Sequence, residues 1–206
     1  MLSFFVSAEP GRKTRIGLVL AAIFFVCTIS LTFAGFQALL PVLYDEGIYS
    51  DLCAPNEPQP CPAQRQRFST LYTVATAACN VCLFAGGLVH DKLGTRVYGI
   101  VAGMTLSLGN VLFALDQFFV GFSLIAVGNT FVIFSVMHYA NLFPRHRSLL
   151  ICLFRSLEPL SAGTYSVLSL AHYRDGMGHQ SFFLVTTCFP VFYCVFSISG
   201  SPDLHL

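Results

Sequence analysis

Long runs of apolar residues decide most of what this chain can become. Six can be drawn, at about 17–43, 69–89, 97–115, 118–142, 148–171 and 181–200. Each is near or above the ~20 residues with which a helix crosses ~30 Å of hydrocarbon. Lipid offers no partner to an open backbone group, so only helices and closed barrels span it. A barrel would show ~10-residue segments of alternating polarity, and the sequence has none. The expected fold is an all-α membrane protein with six transmembrane helices in one domain at 17–200. A cytoplasmic N-terminus at 1–16, an outer loop at 44–68 and a cytoplasmic tail at 201–206 complete it. Of the 206 residues, 55% are hydrophobic and only 10% charged, against about 25% charged in a soluble domain. The formal net charge of +1 leaves no basic face to neutralise phosphates, which excludes nucleic acid.

The first apolar run follows Arg12, Lys13 and Arg15, a basic flank that would suit a signal peptide. It is much longer than the ~7–15 residues of a signal-peptide core, so a retained helix is expected. Short-loop lysine and arginine set orientation. With the N-terminus in the cytoplasm, that side holds Arg12, Lys13, Arg15, Lys92, Arg96, Arg145 and Arg147. The opposite side holds Arg65, Arg67 and Arg174 among the acids Asp45, Glu46, Asp51, Glu57, Asp116 and Asp175. Both termini are therefore expected in the cytoplasm, in a multi-pass protein of the plasma membrane or an organelle membrane. Cys53 and Cys61 share the one long loop, on the expected outer side. An oxidising compartment lets them pair as a disulfide; two free loop cysteines are the other reading. Cys79 and Cys82 form a CxxC inside an apolar segment, without the βαβ context of a redox motif. The remaining cysteines, Cys27, Cys152, Cys188 and Cys194, read as small packing residues.

Between the second and third segments lies "GGLVHDKLGTR", which sets charges directly against lipid-compatible sequence. Gly87 lets a helix end approach a neighbour, and Gly94 allows a tight reversal. Asp91 can meet the positive end of a helix. Lys92 and Arg96 can pair with it or with acidic lipid heads. Contacts of this kind, made in one conformation and broken in another, bias a rocking equilibrium; an ordinary basic inner loop is the plainer reading. Gly87, Asp91, Lys92, Gly94 and Arg96 fit G-x-x-x-D-[RK]-x-G-x-R. This resembles the signature loop of the major facilitator superfamily, at the same place between helices two and three. The stretches "LLPVLYDEGIYSDLC" and "NLFPRHRS" resemble a narrower group within it, the sodium-independent L-type carriers of large neutral amino acids and their fungal and protist relatives. Helix five, "LFRSLEPLSAG", departs from that group's small-residue and acidic pattern.

Arg155 and Glu158 fall inside the fifth segment, about 10 and 15 Å in from Ser148. Their i, i+3 spacing allows pairing on one face, and charges at that depth must face a cavity or a partner. A polar wall of a transport pathway and an internally satisfied ion pair both fit. Pro159 is expected to kink the helix there. Gln37, near Gly35 and Pro41, fits a pathway residue or an interhelical bond. Asn80, Asn110, Asn129 and His138 read as interhelical hydrogen-bonding groups. Neither HExxH nor GxSxG occurs, and no cofactor, metal ligand set or enzymatic activity is expected. The resemblance implies the N-terminal six-helix half of a twelve-helix carrier, with substrate held between two halves. The expected function is transport of a small solute, a neutral amino acid, by alternating access. The expected partners are that solute, the bilayer, and a second half or another copy of the chain. The alternative is a truncated, non-transporting membrane protein that binds or regulates a partner.

Overall fold

The computed structural model describes residues 11–30, 32–54, 58 and 60–200, apart from the side chains of 12, 85–95, 199 and 200. Among them there is no β-strand. The helices are α1 (Arg12–Ile29), α2 (Phe36–Asp45), α3 (Pro62–Ala114), α4 (Phe118–Met137), α5 (Arg147–Ala162), α6 (Thr164–Asp175), α7 (His179–Thr186) and α8 (Cys188–Gly200). A 3₁₀ turn, Thr32–Gly35, joins α1 to α2, and another, His138–Leu142, extends α4.

Helical hydrogen bonding runs through the whole of α3, where an irregular loop over 90–96 is expected from the sequence. The chain nevertheless doubles back within it. The Phe36 ring lies 6.4 Å from Phe68 and 4.9 Å from Phe122, which lies 6.0 Å from Phe113. A straight helix would hold Phe68 and Phe113 about 68 Å apart. Cys79 Sγ lies 3.1 Å from Thr130 Oγ1, so the first part of α3 runs parallel to α4. Tyr98 then packs on Phe131 and Phe113 on Phe118, so the last part runs antiparallel to α4. The reversal falls between Cys79 and Tyr98, where the sequence places its charged connection.

The directions of the remaining passes follow from contacts in the same way. Gly35 lies against Ala162, and Glu46 meets His179. The α1–α2 pass therefore runs alongside α5–α6, and α7–α8 returns beside the last part of α3, with Gly103 against Cys194. At one end, next to the disulfide, lie the acids Glu46 and Asp116. At the other, Arg15 Nη1 donates to the Leu142 carbonyl at 3.5 Å. The charge segregation read from the loops is thus kept. Among the described residues, four helical stretches, Lys13–Asp45, Arg96–Ala114, Phe118–Leu142 and His179–Ile198, are long and apolar enough to cross a membrane. α5, with 16 residues, and α6, with 12, are not among them.

Three passes are interrupted, where unbroken helices are expected over 17–43, 148–171 and 181–200. Pro190 has no N–H for the Thr186 carbonyl, and the helix breaks between α7 and α8. In the fifth pass the break comes at Gly163, not at Pro159: α5 contains Pro159 and continues to Ala162. Gly163 N–H bonds the Leu160 carbonyl at 3.0 Å, an i, i−3 closure that ends the helix. The first pass breaks after Ile29 and resumes at Phe36, and at Gly35, just before it resumes, a neighbour's backbone comes too close for a side chain: a Cβ there would lie 2.1 Å from the Ala162 carbonyl oxygen. α3 and α4 use the same device, with a Cβ on Gly109 falling 2.8 Å from the Ile125 nitrogen.

Phenylalanines fill the interior: Phe36, Phe68, Phe113, Phe122, Phe154 and Phe183 are fully buried. Leu20, Phe24, Phe84, Met104, Val120 and Phe192 point outward, as side chains facing acyl chains do. Cys152 and Cys188 also lie on the surface, contrary to the packing role expected of them. Gly35→Leu should lower the unfolding free energy in mixed micelles by about 1–3 kcal/mol, because Ala162 backbone must move. Gly17→Ala, where nothing lies within 4 Å of the added carbon, should be close to neutral in the same titration.

Candidate functional site

The three interruptions meet. A cleft at their level is lined by Thr28, Ile29 and Thr32 of the first pass, Thr164 and Tyr165 of the fifth, and Phe182, Phe183, Thr186, Phe189 and Pro190 of the sixth. Leu106 and Asn110 of α3 close it. Its polar groups are hydroxyls and one amide, and no charged side chain lines it. Its interior is ≈ 20 Å³ as measured to the centre of a water-sized sphere, enough for water and too small for a larger solute. Asn110 is 9% exposed. Its amide takes no hydrogen bond among the described residues, so its donors and acceptor are offered to the cleft rather than to another helix, the role expected from the sequence.

The break in the first pass is held from α4. Asn129 is fully buried, and its amide is satisfied at both ends in one orientation. In that orientation its nitrogen donates to the Ile29 carbonyl at 2.5 Å. Its oxygen accepts from Thr32 Oγ1 at 3.1 Å, Thr32 N–H at 3.3 Å and Phe33 N–H at 3.2 Å. One side chain thus supplies the partners that the interrupted helix no longer gives itself. Tyr165 hydrogen-bonds Thr32 from the fifth pass, and Thr164 Oγ1 donates to the Thr28 carbonyl at 3.4 Å. Thr28 and Ser30 bond back to Phe24 and Val26 carbonyls, as expected of hydroxyls on their own helix.

Of the residues expected to line a pathway, Arg155 and Glu158 do form an ion pair. Arg155 Nη1 reaches the two carboxylate oxygens at 3.0 and 3.2 Å. Glu158 is buried and Arg155 half-exposed, so the pair is satisfied internally while its cation faces outward, one turn before the break at Gly163. Gln37 is exposed and stands apart from the cleft; its carbonyl is the one that Pro41 leaves without an i+4 donor. The side chains of Gly87, Asp91, Lys92 and Gly94 lie outside the described residues, and Arg96 is exposed on α3. Asn80 is exposed rather than set between helices.

At the end marked by the disulfide, Cys53 and Cys61 are bonded, their Cα atoms 5.8 Å apart. Gln64, fully buried, donates to the Ile48 carbonyl at 2.7 Å and ties the loop to α3. The Arg67 guanidinium stands 4.6 Å over the Phe119 ring and 5.7 Å over Tyr49. Burial pushes the Tyr49 phenol up, and Arg67 pulls it the other way. A group that sequence reasoning missed sits beside them. His179 contacts Glu46 through Nδ1, Asp116 through Nε2 at 3.2 Å, and donates its backbone N–H to Glu46 Oε1 at 2.7 Å. The excess of acids on this side was the only signal in the sequence; nothing there pairs residues so far apart along the chain.

No family model matches the chain, and no solved structure matches it. It is similar to Protein FMP42 of Saccharomyces cerevisiae, 29% identical over 170 residues, which are 77% of this chain and 34% of that protein. It is also similar to Equilibrative nucleobase transporter 1 of Bos taurus, 23% identical over 134 residues, 62% of this chain and 27% of that protein. The chain thus spans about a third or less of the curated relatives it matches. It is an all-α, multi-pass membrane protein with a transporter among its relatives. The superfamily and the amino-acid carriers to which its motifs point do not appear in these matches by name.

Asn129→Ala should lower the unfolding free energy by about 1–3 kcal/mol through the buried carbonyl and N–H groups it strands. The same denaturant titration on Thr130→Ser, which keeps a hydroxyl beside Cys79, should show less than half that loss.

Proposed function

We propose that this chain is one wall of a small-solute carrier, crossing the bilayer six times with both termini on the cytoplasmic side. The observation that carries the reading is the meeting of three interrupted helices at an uncharged polar cleft. Interrupted helices at membrane depth are how carriers expose backbone dipoles to a solute while the rest of each helix stays satisfied. The transporter among the relatives supports the same reading. On it the chain is a carrier component rather than an enzyme.

The water-sized cleft by itself holds no solute, so a second wall completes the site: a second half, or another copy of the chain. The half-exposed Arg155, paired to Glu158, and the outward-facing Gln37 belong on the face toward that wall, where a charge at depth finds water or a partner. Asp91, Lys92 and Arg96 form the inner clasp between the second and third passes, and Gly87 and Gly94 allow its close turn. Rocking of one wall against the other makes and breaks this clasp.

The substrate is a small neutral solute that hydrogen-bonds. The motifs in the first and fourth passes point to a neutral amino acid, and the name of the bovine relative points to a nucleobase. The hydroxyl and amide lining, without a fixed charge for an ammonium or a carboxylate, favours the second.

Two measurements check these statements. In proteoliposomes holding the chain with its second wall, labelled nucleobases should enter faster than labelled leucine or phenylalanine; the reverse order would return the substrate to the amino acids. Asp91→Asn should lower that flux by at least about tenfold, the loss of roughly 1.4 kcal/mol, with the protein still delivered to the membrane. Uptake near that of the parent chain would remove the clasp from the mechanism.

A further inference from the structure

We propose that His179 is a proton-binding site whose occupancy decides whether three connections at the disulfide end of the bundle are held together. The connections are the end of α2, the turn between α3 and α4, and the turn between α6 and α7. They contribute Glu46, Asp116 and His179. The His179 side chain is 7% exposed, packed against the Phe113 and Phe118 rings. Both of its ring nitrogens face carboxylates, Nδ1 toward Glu46 and Nε2 toward Asp116.

An ionised carboxylate only accepts, and a neutral imidazole donates from one nitrogen. With a single proton, one of the two contacts sets a nitrogen lone pair against a carboxylate oxygen. With two, both contacts become charge-assisted hydrogen bonds. The arrangement is therefore that of the imidazolium. The second proton comes from water and returns to it, with no other chemistry.

The neighbouring histidine shows the contrast. His172 Nδ1 lies 2.9 Å from the Met177 carbonyl, and its Nε2 is 4.0 Å from Asp45. One proton on Nδ1 satisfies it. The other groups around the site are Glu46 itself, 4.0 Å from His172, Tyr173 bonded to Asp45, and Gln180, whose amide donates to Asp116 Oδ2 at 3.3 Å. None of these supplies a cation to replace the imidazolium.

The two carboxylates do different work. Glu46 also caps the start of α7 through the His179 N–H, so it stays with α7 whichever form the ring takes. Asp116 is 56% exposed and sits in a left-handed backbone conformation, φ 62°. It holds α7 through the ring and Gln180. Loss of the proton from Nε2 releases Asp116 first and frees the α3–α4 turn. The clasp is full when the imidazole is doubly protonated and is lost when Nε2 gives up its proton to base.

The inference needs neither the carrier reading nor a second wall, so it is tested on the 206-residue chain in lipid nanodiscs. ¹⁵N spectra of histidine-labelled protein read the protonation of His179. Hydrogen exchange of the amides at 114–118 and 176–180, corrected for the intrinsic pH dependence of exchange, reads the clasp. Across a pH series that takes the ring from two protons to one, as its ¹⁵N shifts report, protection should fall roughly tenfold. His179→Gln should remove that dependence and leave protection low throughout. Asp116→Asn should instead leave it high throughout, because an amide can donate to an unprotonated Nε2. Flat protection in the parent chain, a singly protonated His179 at the acid end, or a pH dependence kept in Asp116→Asn would each overturn the proposal. If His179→Gln fails to insert, the parent spectra and Asp116→Asn decide it.

Discussion

No backbone N–H or C=O can be left unpaired in hydrocarbon, and the arrangement of this chain follows from where that rule is strained. An unbroken helix satisfies the rule by itself and needs its neighbours only for packing. The first, fifth and sixth passes do not satisfy it by themselves. Each stops and restarts, and the gaps of the first and fifth passes are met by another pass: Asn129 from α4 at Ile29, Thr32 and Phe33, the Ala162 carbonyl packed on Gly35, and Thr164 on the Thr28 carbonyl. The interruptions therefore bind the bundle together. They also gather its exposed dipoles in one place, which is the cleft.

How much of this the sequence discloses depends on the distance over which each feature acts. Apolar length is local, and so four of the expected crossings are legible as helices of spanning length, as is the i, i+3 pairing of Arg155 with Glu158. The disulfide is legible because its cysteines lie only 8 apart in sequence. The interruptions are legible in part. Pro190 marks its own break, but Pro159 does not. α5 carries it to Ala162 and stops at Gly163, next to the close approach of Gly35. Gly35 has nothing beside it in the sequence to mark it: its reason is a carbonyl in the fifth pass. The amide of Asn129 reads as generic polar glue until α1 is seen to end beside it. Even the doubling back of α3 is legible only as a position, since charges and glycines mark a turn there without revealing that helical hydrogen bonding survives it.

The cluster at the disulfide end was illegible for a different reason. Glu46, Asp116 and His179 each stand in short connections where charged residues are ordinary, and the positive-inside pattern absorbs them as an outer acidic surface. What makes them particular is that two carboxylates face one ring, one at each nitrogen, which is visible only once the three connections are brought together.

The clasp and the cleft are joined by a short, stiff element. α7 begins at His179 and ends at Thr186, about 12 Å of helix with the ionic contacts at its first residue and the cleft along its end, from Phe182 to Thr186. Phe183, midway, stacks 4.3 Å from Phe113 and 5.7 Å from Tyr165, so α7 rests on both the third and the fifth pass. One residue, Thr187, separates its far end from α8, and Pro190 leaves the Thr186 carbonyl without its i+4 donor. α7 is thus held by ionic contacts at its first residue and by an aromatic ring in its middle. α8 lies against Gly99 and Gly103 of α3. The break beside the cleft thus sets a short helix apart within its pass, with the ionic cluster at its start and the cleft at its end.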